Sequence, residues 1–177
     1  MKRIILVLAI AGLSSGAFAQ SVTEKAASTL GMTPSTKSFV ENAAIGDMFE
    51  IESSKLAQEK GNASAKTFAG KMIKDHTETS SELKAIAAKA KVDVPAALDS
   101  SHQSKLDKLK SLNGEDFVKQ YDADQLAAHK DAVSMFERYA NGGDNAQLKA
   151  FAKKTLPHLK QHLQMAEGLN KSTIGQK

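Results

Sequence analysis

Apolar residues recur every three or four positions along four long stretches of this chain, with charged and small polar residues filling the gaps. That period is the signature of amphipathic helices. The first stretch runs from about Thr36 to Lys60 and stops at Gly61-Asn62, a C-terminal cap signal. The second, from about Ser64 to Lys91, carries Ala65, Phe68, Met72, His76, Leu83, Ile86 and Ala90 on one face and stops before Val92-Asp93-Val94-Pro95. The third runs from about Glu115 to Ala140, with Phe117, Tyr121, Ala128, Ala132, Met135, Phe136 and Tyr139 in line, and ends at Asn141-Gly142-Gly143. The fourth, with the stripe Leu148, Phe151, Ala152, Leu159, Leu163, Ala166 and Leu169, is expected to start at Asp144 as its cap and to reach about Asn170. A shorter helix, about Ser100 to Leu112, falls in the connection between the second and third. Four such helices bury their stripes against one another, which predicts an all-α four-helix bundle with an extra short helix in its long connection.

The first residues break this pattern. Lys2 and Arg3 precede an unbroken apolar run from Ile4 to Leu13, and Ala17-Phe18-Ala19 supplies a small-residue cleavage site before Gln20. This is a complete signal peptide. No cysteine follows it to carry a lipid, and no later run is apolar enough to span a bilayer. The expected organisation is residues 1–19 as signal peptide, 20–35 as a flexible leader, 36–170 as the bundle domain and 171–177 as a loose tail. The expected compartment is the periplasm.

Composition then removes whole classes of chemistry. With no cysteine, thiol catalysis, disulfides, Cys-ligated zinc and iron–sulfur clusters are excluded. Gly-rich phosphate loops, dinucleotide fingerprints and Gly-x-Ser-x-Gly elbows are absent from the sequence. Loss of Lys2 and Arg3 with the signal lowers the basic count from 24 to 22, against 20 acids. Arg138 is then the only arginine, and the lysines alternate with acids along the helix faces. Nucleic acid is therefore not an expected partner. A monomer or a small homo-oligomer is expected, with no protein partner identified.

The histidines carry the remaining chemistry. Of the five, His102 falls in the connecting helix, facing solvent. His76 is centred on its apolar stripe, His129 borders another, and His158 and His162 share a helix face four residues apart. On the first helix Glu50 lies with Phe39, Ala43, Gly46 and Ala57, away from Glu41, Glu52 and Glu59. A buried acid needs a partner. At about 1.5 Å of rise per residue, Glu50 and His76 lie about 15 and 18 Å below the Gly61 turn. If the segment from Val92 to Gly114 crosses back along the bundle, His129, His158 and His162 fall about 20, 18 and 12 Å down, in the same layer. In plain up-down order His162 drops to about 26 Å and leaves it. Glu50, His76, His129, His158 and His162 are thus the candidate metal ligands, for a divalent transition metal: zinc, copper or iron. Against this stands the plain reading, in which each histidine is a hydrogen-bonded core residue. Met48, Met72, Met135 and Met165 read as core filler rather than soft ligands. Pro157 frees the carbonyl of Lys153 and is expected to bend the fourth helix beside His158. Glu-x-x-His, the commonest di-iron pattern, occurs nowhere.

Several strings resemble one bacterial family. They are residues 39–57 (FVENAAIGDMFEIESSKLA), 68–76 (FAGKMIKDH), Glu82-Leu83-Lys84, 117–129 (FVKQYDADQLAAH) and 148–163 (LKAFAKKTLPHLKQHL). Together they are similar to exported proteins labelled "predicted outer membrane protein", a domain of unknown function with a ferritin-like bundle. The resemblance implies a ferritin-like helical fold and export, with no established activity. It places Glu50, His76, His129 and His162 on the family's recurrent polar positions. Val118 departs from an Asp common there, and the family's usual Gly near Ser54 is missing.

Three readings follow: a periplasmic binding or stress-protective bundle with a His/Glu metal site, a ferritin-type metal-dependent oxidoreductase, or a structural module with no metal.

Overall fold

The computed structural model describes residues 31–175, apart from the side chain of Ile174. The expected signal peptide and the leader up to Leu30 lie outside the described residues. Five helices follow in order: α1 (Thr36–Lys60), α2 (Ala63–Ala90), α3 (Ser100–Ser111), α4 (Gly114–Gly142) and α5 (Ala146–Ile174). Among the described residues there is no strand, and no helix is long and apolar enough to cross a membrane.

Local chemistry sets the boundaries. Ser35 caps α1 by accepting the Ser38 N–H, and Asn62 caps α2 by accepting that of Ala65. Gly61 separates the two: a Cβ there would lie 2.5 Å from the Ala57 carbonyl oxygen, so the tight α1–α2 turn requires glycine. Helix α2 stops at Lys91, which adopts a left-handed φ of 54° and donates its N–H back to Ala87 and Ala88. Helix α5 is capped by Asn145, whose side chain accepts from Gln147 and Leu148, and not by Asp144 as expected. Asp144 is engaged instead by Thr36 and Tyr139, which tie it to the start of α1. Helix α5 continues through Pro157 and past Asn170 to Ile174.

Two apolar clusters give the direction of each helix. One gathers Phe39 and Val40 of α1, Leu83 and Ala87 of α2, Phe136 and Tyr139 of α4, and Leu148 and Phe151 of α5. The other holds Phe49 and Ala57 of α1, Ala65 and Phe68 of α2, Phe117 and Tyr121 of α4, Ala166 of α5, and Leu106 and Leu109 of α3. Helix α2 therefore ends at the first cluster while α4 begins at the second. The segment 91–113 must run back along the bundle, carrying α3 to the second end. Helices α1 and α5 point one way, α2 and α4 the other. This is the crossover on which the common layer of histidines depended.

Candidate metal centre

Between the two apolar clusters the bundle is polar. His76 of α2, His129 of α4 and His162 of α5 are buried there, at 5%, 1% and 2% exposure. Their ring centroids lie 5.5–5.7 Å apart. One nitrogen of each falls within 4.8 Å of the other two.

The outward nitrogen of each ring is held. His76 Nδ1 donates to Asp47 Oδ1 at 2.7 Å, while Thr79 and Ser80 donate to the other oxygen of the same carboxylate. His129 Nδ1 meets the Gln125 carbonyl at 2.9 Å. A carbonyl only accepts, so this nitrogen carries the hydrogen. His162 Nε2 donates to Asp75 Oδ2 at 2.8 Å, and Lys71 braces the same carboxylate at 2.7 Å. Fixing one nitrogen as donor leaves the other as a lone pair. Those others, His76 Nε2, His129 Nε2 and His162 Nδ1, are buried without a partner. Each of the three clustered rings thus keeps one buried acceptor with nothing donating to it, an arrangement that calls for a cation or a shared proton.

The titration of the trio agrees. Burial pushes His129 down to about 3, and the neighbouring His76 and His162 push the same way. Burial also lowers His162, to about 4, against the pull of Asp75. Burial acts on His76 likewise, but the hydrogen bond and charge of Asp47, together with the charges of Glu50 and Asp75, outweigh it and hold His76 above its ordinary value. A cation entering the cluster competes with protons for these ring nitrogens, so its binding weakens as pH falls.

Glu50 is buried on α1, 4.0 Å from His129 Nδ1. Neither of its oxygens has a hydrogen-bond partner. Burial pushes its carboxyl up to about 7, with the charge of His76 pulling it back. It stands beside the three-histidine group rather than within it. His158 is exposed, although it shares a face with His162. A four-residue step turns a helix by about 40° beyond a full circle, enough to move a side chain from the buried stripe to its edge. His158 instead lines a surface pocket of about 150 Å³ together with His76 and His162. His102 is half-buried, bonded to Asp99 and set edge-on against Phe49. Of the methionines, Met72 is fully buried in the second apolar cluster, and Met165 packs against it.

Asp47 and Asp75 were not among the expected site residues. Asp47 lies three residues before Glu50, on the inward-turning side of α1, and Asp75 directly precedes His76. The signal for both was an acid within one turn of a buried polar residue. Ser54 is fully buried and pairs its hydroxyl with Tyr121 at 2.9 Å.

The fold and this cluster define an all-α bundle with three convergent histidines in its core. The chain belongs to the family described as "Domain of unknown function (DUF4142)", which it matches over residues 21–169. Among solved structures it is similar to one described as "CopM in the Cu(II)-bound form", at 17% identity and a TM-score of 0.66. The likeness covers 80% of this chain and 99% of that one, and it shows a shared fold. No curated protein matches the sequence.

Proposed function

We propose that this is an exported, periplasmic metal-binding bundle with a ferritin-like helix arrangement, serving a binding or stress-protective role in the envelope. Its metal is held by His76, His129 and His162, with Glu50 as the nearby counter-charge. The carrying observation is the set of three unpartnered ring nitrogens, each aimed by an acceptor on its far side. Three neutral imidazoles suit copper(II) and zinc(II), and the usual order of affinities favours copper. The Cu(II)-bound form of the structurally similar CopM supports the same choice. Ferritin-type di-iron chemistry is the weaker reading, because the chain has no Glu-x-x-His.

The test is a thermal melt of chelator-treated, tag-free protein with and without copper or zinc. At a free metal concentration of 100 times Kd, stabilisation of about 2.7 kcal/mol is expected. For a chain of this size that raises Tm by about 5–10 °C. His76→Ala should abolish the shift and His102→Ala should keep it. No shift in the wild-type protein would return the histidines to the role of core hydrogen-bonding groups.

A further inference from the structure

The pocket between α2 and α5 has a chemistry that the triad alone does not use. His76 and His162 form part of its lining, yet their unpaired nitrogens are covered from solvent. A cation outside therefore cannot reach the lone pairs until a side chain moves. The pocket wall contains the partner that holds one of them in place: Asp75, bonded to His162 Nε2. Glu78 and His158 stand exposed in the same wall, and His158 lies one helical turn before His162. Across the mouth Lys154 pairs with Glu82 at 2.8–2.9 Å, so that acid is already matched. Asp75 is likewise matched by Lys71, which leaves Glu78 as an acid in the wall with no ion pair among the described residues.

We propose that this pocket is the port through which a hydrated transition-metal cation reaches the buried triad, with His158 as the outer landing ligand and the Asp75–His162 hydrogen bond as the latch that opens. The proposal rests on the triad reading above. Glu78 draws the cation to the mouth. His158 replaces part of its water shell with an imidazole nitrogen. His162 then releases Asp75, turns to meet the ion and carries it to His76 and His129. His158 is absent from the final shell, so it acts on the path alone. A residue that lowers only the barrier changes association and dissociation by the same factor and leaves Kd unchanged.

Stopped-flow mixing of the chelator-treated protein with copper(II) chloride, followed by quenching of tyrosine fluorescence, reads this directly. His158→Ala should slow association and dissociation together by about tenfold, within the range that variants of one site span. Its equilibrium Kd should match that of the wild type. Glu78→Lys should slow association at low ionic strength, and added salt should erase the difference. Unchanged association in His158→Ala, with binding intact, overturns the port. So does a weakened Kd arising from faster release alone, which would make His158 a ligand of the final shell. Failure of wild-type protein to bind copper overturns the triad first and the port with it, a result distinct from either.

Discussion

Glu50 makes metal-free stability depend on pH in a direction opposite to most carboxylates. Its folded-state value is about 7, against an ordinary 4.5. Between those values the folded chain holds more protons than the unfolded one, so this group's contribution falls as pH rises through the window and is flat above it. His129 and His162, both depressed below 6.5, act in the opposite sense: they favour the native state above that value and lose this as pH falls. Comparing variants separates the two. Glu50→Gln should match wild type near pH 4.5 and gain on it up to about pH 7, by about 3 kcal/mol at 1.36 kcal/mol per pKa unit. Urea denaturation at several pH values, without metal, measures the difference. A flat difference would mean that Glu50 finds a partner in solution. Phe68 tests the packing nearby. It is 3% exposed and meets both Tyr121 and His129 edge-on. Phe68→Ala should cost about 3 kcal/mol in equilibrium denaturation, and a loss below about 1 kcal/mol would contradict the packing. At this scale the sequence was informative in proportion to helical phase. Glu50, His76, His129 and His162 all fell on buried stripes as expected. His158 did not, because a four-residue step drifts away from the stripe's centre. The acceptor on His129 is a main-chain carbonyl, which no side-chain pattern marks.

Helix ends were less legible than helix middles. The stripes of α2, α4 and α5 predicted those helices to within a few residues, because each must bury one continuous face. The start of α5 depended on which of two adjacent residues, Asp144 or Asn145, turned its side chain onto the free N–H groups. One contact distant in sequence, from Thr36, and one local contact, from Tyr139, occupy the alternative cap. Thr36 and Tyr139 engage Asp144, and Asn145 takes the cap. Asn145→Ala should therefore cost about 1 kcal/mol, the usual loss for a cap of this type, as measured by chemical denaturation. Loss of Asp144 should act mainly through the α1 contact.

Across the whole molecule, the decisive unknown was the path of residues 91–113. Length permitted either a crossover or a local turn, and only the crossover puts His162 beside His76 and His129. The two apolar clusters now show which occurs. Export belongs to this scale too. The expected signal peptide predicts that protein recovered from the periplasm begins at Gln20, and intact-mass measurement checks it; an uncleaved, membrane-bound product would contradict the cleavage site. The crossover has one further consequence. It divides the bundle into two helical hairpins, α1–α2 and α4–α5, joined by a single strand of chain. His76 belongs to the first hairpin, and His129 and His162 to the second. A cation seated among them is then a rivet between halves that the backbone joins only once. A protease cut within that connection would leave two fragments still held by the two apolar clusters, and a cation among the three histidines would add one further link between them, as though the ion were a removable length of backbone.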